Sequence, residues 1–554
     1  MARLDRLQPV KDVAQVGAAI GREFSYALIR ELVPRDETSL KYALIKLEQA
    51  GLLFRRGEPP DAVFSFKHAL VRDAAYESLL KSRRQQLHGQ IARSIEKNFP
   101  EIVLSQPEIV AHHFTEAGSA EPAIDYWLKA GNLALSRSAN TAVSHLNEGL
   151  KQVPRIADAA VSKKWELVLQ TTLGNALQAA QGWSIESVKS AYTRALELCK
   201  ETGLDKHTLP AVFGLWTWNF VHPSLNESQA LAEELLRTAQ NAGDPAYRVL
   251  AHEALGFTLF AQGKFAESHV ELKRSISMCD DSATAKYLDL SAQDPRVHVR
   301  LYDGMVLWFL GYPDQALRIC AEARRYADAS QHPFSEAMAR TISLRVHQLR
   351  GEAADVAAQV NTAIALCEEH EFLHYLATAL ILRGWASAQQ GDFEKGIADI
   401  ELGLEKQRAT GALLYESHTL ALLADACIKN EHYQEALDFL DQAQSRINME
   451  HCERFYAAEI YRLLAEANLR VHNDPGRAEF FLHKGFKVAR EQNAKSLELK
   501  LCLAMHDLYE MKQGGEQYRS HLSEVYRTFT EGFETVDLVR ARAKLAIQAA
   551  PAAD

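Results

Sequence analysis

The sequence predicts an all-α chain built as an α-solenoid, preceded by a small N-terminal domain with a short β-hairpin. Three observations lead there. Gly384, Gly391, Phe393, Gly396, Ile400 and Gly403 are matched 40 residues later by Ala424, Glu431, Tyr433, Ala436, Leu440 and Ala443. Ala and Leu are abundant while only 16 of 554 residues are Pro, a composition that suits helices. The first hundred residues lack this register and carry turn residues between short apolar runs instead.

Extended along the chain, the register runs through Ala316, Val356, Gly396, Ala436 and Ala478. Four residues after each comes Cys320, Val360, Ile400, Leu440 or Leu482, and seven after each comes Ala323, Ala363, Gly403, Ala443 or Gly485. Positions i, i+4 and i+7 share one helix face, so this small, large, small stripe is cut to receive another helix closely. Five residues before each stripe stands Gly311, Gly351, Gly391, Glu431 or Asn473, where the chain must turn between antiparallel helices. A helix pair that cannot bury its own stripe must stack on its neighbours. With Phe393 and Tyr433 as the recurring aromatics, the pattern resembles the tetratricopeptide repeat, at a period longer than the usual ~34 residues.

Taken in order, Val13 to Ile20 reads as a short helix closed by Gly21, and Ser25 to Val33 as a second ended by Pro34. Asp36 caps a third helix that carries Leu40, Ala43, Leu44 and Leu47 on one face and stops at Gly51. Leu52 to Arg56 and Ala62 to Phe66 flank a polar turn with Gly57, Pro59 and Pro60, the form of a β-hairpin wing. Three helices and a hairpin make a winged helix. Its third helix offers only Lys41 and Lys46 against Asp36, Glu37 and Glu48, a poor face for the major groove.

The runs VGAAIGREFSYALI, LEQAGLLFRR and FSFKHALVRDAAYESLL resemble the winged-helix segment of STAND-type signalling ATPases. Such regions, in bacteria, are often joined to a class III adenylate or guanylate cyclase. SRRQQLHGQIA, AHHFTEAG, AIDYWLKAGNLALSRSA and FTEGFETVDLVRA resemble the repeat-bearing C-terminal region of the same proteins, so the likeness covers nearly the whole chain. It implies an AAA-type ATPase or cyclase module upstream of Met1 in a longer version, or supplied in trans. It also implies that His68, after Phe64-Ser65-Phe66 and before the helix Ala69 to Leu80, contacts the phosphates of ADP where such a module is present. An imidazole N–H at a helix start can donate to a phosphate oxygen. Plant relatives have Asp after that histidine where this chain has Ala69; the alternative is a histidine that caps the helix. The chain itself has no G-x-x-x-x-G-K-[ST]; Gly263-Lys264 is followed by Phe265 and matches a repeat turn. No catalytic residue, cofactor or metal is therefore expected in it.

Beyond the wing, a helix with Leu87, Ile91 and Ile95 leads out, and Pro100 and Pro107 break the path. The expected domains are residues 1–105 (winged helix), 106–540 (repeats) and 541–554 (frayed tail). A first repeat is marked by Gly131, Ala142, Leu146, Gly149 and Pro154, and irregular ones lie near Gly174 to Ala195, Leu231 to Ala239 and Leu255 to Ile276. Asp280 to Pro295 reads as a long loop. The array closes after Leu501 to Tyr509, and Gly514-Gly515 separates a final helix from it. Trp216, Trp218, Phe220 and His222 are dense enough to anchor a peptide, but large side chains at helical spacing favour a core role. His112-His113 diverge on a helix and have no further ligand at metal spacing, so packing or capping is favoured.

Net charge of -10 argues against broad nucleic-acid binding, and the start MARLDRLQPVKD lacks the apolar core of a signal peptide, so no membrane is involved and a cytoplasmic setting is expected. Seven cysteines without a C-x-x-C pair suit reduced, packed thiols. The function that follows is regulatory and non-catalytic, with a protein or small ligand held on the repeat surface. The alternative is a transcriptional regulator whose winged helix touches DNA while the repeats sense an inducer.

Overall fold

The computed structural model describes residues 10–135, 137–182, 185–203, 208–222, 224–291, 293–449, 452–512 and 516–545. The chain divides into two compact units, one of residues 1–180 with 197–203 and the other of residues 181–196 with 204–554.

The first unit begins with helices α1 (Lys11–Ile20), α2 (Tyr26–Leu32) and α3 (Glu37–Gln49). Ser25 Oγ accepts from the Leu28 amide, and Asp36 accepts from the Ser39 amide, so both starts are capped by side chains as the sequence reading of Asp36 anticipates. Strands β1 (Glu23–Ser25), β2 (Leu53–Arg56) and β3 (Val63–Phe66) form an antiparallel sheet in the order β1-β3-β2. The expected hairpin is thus present, pairing Leu53 with Phe66, but a third strand joins it, pairing Glu23 with Ser65. The sequence reading has no strand there, because three residues are too few to show alternation. Helices α4 (Ala69–Glu77) and α5 (Lys81–Asn98) follow. The path breaks at Phe99 and Gln106, as expected, and Pro100 and Pro107 each open the next helix in its first turn, where the missing N–H costs nothing. One core runs from Val10 to Ala130. In the helix pair Ala120–Leu135 and Ala139–Leu150, Gly131 lies against Leu146, as the first-repeat signature implies.

The second unit is a TPR-like array of helical hairpins. Its regular part pairs Pro295–Phe309 with Pro313–Ser330, Pro333–Arg350 with Ala353–Glu369, Leu373–Gln389 with Phe393–Ala409, Glu416–Lys429 with Tyr433–Ile447, Ala457–His472 with Pro475–Glu491, and Lys495–Met511 with Glu516–Tyr526. The stripe is buried in every repeat. At its tightest, a Cβ placed on Gly384 would stand 2.5 Å from the Gly396 carbonyl oxygen, so the two backbones touch. Gly311, Gly351, Gly391, Glu431 and Asn473 all have positive φ, which is how the chain turns at each of them.

The superhelix also closes on itself. The Leu413 amide donates to the Val221 carbonyl at 2.9 Å and the Arg454 amide to the Ala261 carbonyl at 2.8 Å. Ser496 Oγ donates to the Trp308 carbonyl, 188 residues away. The stacking reaches some of the turns and not others. Gly311 and Gly351 lie under Lys495 and Val536 of the next turn, whereas Gly391 meets nothing within 4 Å, and the turns beyond it hold Glu431 and Asn473. The first helix of each hairpin is consequently surrounded. Every residue of Pro295–Phe309 is buried. Several polar groups inside are paired: His298 with Glu253 at 2.9 Å, His418 with Gln348 at 3.1 Å, and the Arg345 guanidinium over the Tyr415 ring at 3.8 Å.

Two expectations need correction. Asp280 to Pro295 is no loop: it holds a 3-10 turn (Asp281–Ala283) and the helix Thr284–Ser291, anchored by buried Tyr287, whose hydroxyl accepts from the Asp280 amide. Nor does a frayed tail start at 541, because a last helix runs over Val536–Lys544 with Ala541 buried. Lys544 secures it to Asp507 at 2.6 Å and to Glu510 at 2.9 Å. Gly514-Gly515 and the end of the expected tail lie outside the described residues. Among the described residues no helix is long and apolar enough to cross a membrane.

Candidate functional site

Within the second unit, the hairpin helices of successive repeats leave a cavity of about 650 Å³. Its walls come from Glu416–Lys429, Ala457–His472, Lys495–Met511 and the last helix, with Gln348 and Trp385 at one end. The surface mixes charge with apolar side chains such as Leu422, Leu463 and Leu503.

The charges are ordered. Glu459 receives two bonds from Arg462 at 3.0 Å and a longer one from Lys500 at 3.4 Å. Arg462 also reaches Glu466 at 2.9 Å. Burial pushes the Glu459 carboxyl up, but Arg462 and Lys500 outweigh it and hold it down at about 2. For Lys500 burial works downward and loses to Glu459 and Asp537, so its ammonium is held charged. Further along, Lys429 bridges Asp425 at 2.7 Å and Gln389 at 2.6 Å. Arg540 of the last helix pairs with Asp507. Glu459 and Lys500, fixed in their charged forms, neither give nor take protons near neutral pH; they can only orient a charged ligand.

The residues singled out from sequence are scattered. His68 stands at the N-cap position of α4, exposed and without a side-chain cap hydrogen bond. His113 is buried, with its Nδ1 2.8 Å from His88 Nδ1, and His88 Nε2 lies 2.9 Å from the Tyr76 hydroxyl. Burial first, then neighbouring histidines, bring His88 to about 4 and His113 to about 3, so both are neutral packing groups at pH 7. Trp216, Trp218 and Phe220 are buried, and Trp216 Nε1 donates to Thr258 Oγ1 at 3.0 Å. They are core. Among the described residues, two His-carboxylate groups have metal-like spacing, His347 with Glu352 and Asp355, and His506 with Asp507 and Glu510. Arg350 holds Glu352 and Lys544 holds Asp507 and Glu510, so cationic side chains already serve three of these four carboxylates.

Sequence reasoning missed Glu459, Arg462, Lys500, Asp507 and Arg540. A signal existed: Glu459, Lys500 and Asp537 stand 41 and 37 residues apart, close to the period of the small-residue stripe.

No family model matches the chain. It is similar to an uncharacterised protein of Rhizobium meliloti (strain 1021), 22% identical over 521 residues. That alignment takes in 92% of this chain and 49% of the relative, so the chain spans about half the length of the curated relative it matches. Among solved structures, a Rap protein complexed with competence and sporulation factor is similar over 70% of this chain and 99% of its own, at 12% identity and a TM-score of 0.49. A signal-transduction ATPase with numerous domains and a tetratricopeptide repeat sensor, from Pyrococcus horikoshii, is similar over 88% of this chain and 65% of its own, at 13% identity and a TM-score of 0.39. The quorum sensor NprR from B. thuringiensis, in its apo form, is similar over 66% of this chain and 99% of its own, at 15% identity and a TM-score of 0.39.

Proposed function

We propose that the chain is the non-catalytic regulatory region of a STAND-type signalling protein, with a winged helix in residues 1–105 followed by a partner-binding repeat array from 106 onward. The upstream ATPase or cyclase module acts in cis in a longer version or in trans. The observation that carries the binding role is the 650 Å³ cavity lined by self-compensated charges on successive repeats. Such a lining holds a ligand by exchanging internal ion pairs for external ones, so occupancy changes how neighbouring repeats pack. The winged helix would pass that change to the module as a population shift. A cytoplasmic setting and a peptide or protein ligand belong to the same proposal.

Two features support this over the DNA-binding alternative. Lys41 is tied to Glu37 at 2.7 Å, and Tyr42 and Ile45 stand exposed on the same helix, a face suited to protein contact more than to phosphate. His68, exposed at a helix start, is free to reach a phosphate on another module.

The test uses the half of the Rhizobium meliloti relative that this chain does not span, expressed separately. It should bind this chain, the complex should retain ADP, and His68→Ala should release that ADP without dissociating the complex. A purified chain that hydrolyses ATP or forms cyclic AMP by itself overturns the non-catalytic reading. A complex indifferent to His68 overturns its role as phosphate contact.

A further inference from the structure

The segment from Phe529 to Lys544 has two mechanically different halves. The first half is a clasp. Glu531 accepts from the Asp314 and Gln315 amides, both at 2.9 Å, and from Gln315 Nε2 at 3.1 Å, which caps the helix Pro313–Ser330. The Gly532 amide returns a bond to Asp314 at 2.8 Å, across 218 residues of sequence. A Cβ on Gly532 would stand 2.0 Å from Pro313, so the clasp is close-fitting as well as hydrogen-bonded.

The second half, Val536–Lys544, is held differently. Only Leu538 and Ala541 of its nine residues are buried, and Val536 is 55% exposed. Besides the contact of Val536 with Gly351 and a bond from Arg519 to the Leu545 carbonyl, its hold is ionic: Arg540 to Asp507, and Lys544 to Asp507 and Glu510. Exposed pairs of this kind are weak and are screened by salt. The helix nonetheless supplies one wall of the cavity through Val536, Asp537 and Arg540. Were it to swing out about the clasp, Asp507 and Glu510 would lose their cations beside a cavity already carrying Asp425 and Glu466.

We propose that Val536–Lys544 is a built-in occupant of this groove, and that the partner of the array is a basic amphipathic segment, with Arg or Lys at i and i+4 and an aliphatic face, that displaces it. This rests on the partner-binding reading above and names the partner's chemistry. The geometry commits to a cationic peptide because the chain's own helix answers the groove's carboxylates with Arg540 and Lys544, four residues apart. The clasp keeps the displaced helix tethered, so its return is intramolecular and independent of protein concentration.

The probe is a fluorescent synthetic copy of residues 535–545, added to the full-length chain. Against the unaltered chain it should bind weakly, since the tethered helix competes. Against Arg540→Glu/Lys544→Glu, whose own helix is loosened while the groove stays intact, it should bind at least ~10-fold tighter. Adding Asp507→Lys to that chain should remove the gain, and a peptide with Glu in place of its three Arg and Lys residues should not bind. Equal affinity across these chains, or binding of the acidic peptide, overturns the proposal. Should the charge-reversed chain misfold, hydrogen exchange of the unaltered chain decides. Raising salt from low to molar should speed exchange in Val536–Lys544 by roughly 10-fold and leave Lys495–Met511 unchanged; no difference between the two helices overturns the proposal. If the probe fails while a different ligand protects Ala457–His472, the displacement proposal falls and the partner-binding reading stands.

Discussion

Replacing Glu459 by Gln tests whether the charge lattice of the cavity has the strength its geometry implies. The substitution keeps size and shape but removes the charge between Arg462 and Lys500. Glu459 has an ordinary value of 4.5 and is held at about 2. At about 1.4 kcal/mol for each pH unit, that difference corresponds to about 3 kcal/mol favouring the ionised form in the folded protein. Because the folded value is the lower one, this contribution is complete above pH 4.5 and disappears as pH falls towards 2. The assay is hydrogen exchange in Ala457–His472, which reads local opening in an array where a single global unfolding free energy is ill-defined. At pH 7 the substitution should lower the opening free energy of that helix by about 3 kcal/mol, and near pH 2 the two proteins should converge. A loss under about 1 kcal/mol, or one that does not change with pH, would refute the electrostatic account.

Gly384→Ala drives a methyl group into the Gly396 carbonyl; the overlap should outweigh the about 1 kcal/mol of helix propensity gained and cost about 2 kcal/mol net, measured as faster exchange in Leu373–Gln389 and Phe393–Ala409. Gly351→Ala and Gly391→Ala both strain a left-handed turn by about 1–2 kcal/mol, but only Gly351 faces Val536, so only that change should also loosen Val536–Lys544. Glu531→Ala removes the cap of Pro313–Ser330 and should destabilise that helix end by about 1 kcal/mol, read as local exchange around Asp314 and Gln315.

The repeat register is written in single residues. Gly384 and Gly396 announce that two helices touch, because only small side chains permit that distance, and the turns at Gly311, Gly351 and Gly391 announce where the chain reverses. The hairpin of the N-terminal domain is legible for the same reason, since Gly57 and two prolines punctuate it. The strand Glu23–Ser25 is not, because three residues form a strand only when Val63–Phe66 is already there to pair with. Tyr287 turns a polar stretch into a helix by finding a pocket against Val249, and that pocket is a tertiary fact. The stacking of Leu413 on Val221 and of Arg454 on Ala261 depends on superhelical pitch, the sum of small rotations over several repeats, and no local pattern records it. The cavity shares that fate. His68 was legible as the residue opening the helix after the hairpin, and it stands at that helix's N-cap position.

Hydrogen bonds that join one winding of the array to the next give it a grammar that open solenoids lack. In an open solenoid a hairpin can be gained or lost and its neighbours simply re-stack. Here the loss of one hairpin would leave Ser496 facing a carbonyl other than that of Trp308 and Glu531 facing the wrong helix end, throwing every later contact out of phase. Lineages carrying this fold should therefore vary freely in loop sequence but hold the number of hairpins between Val221 and the C-terminal clasp constant.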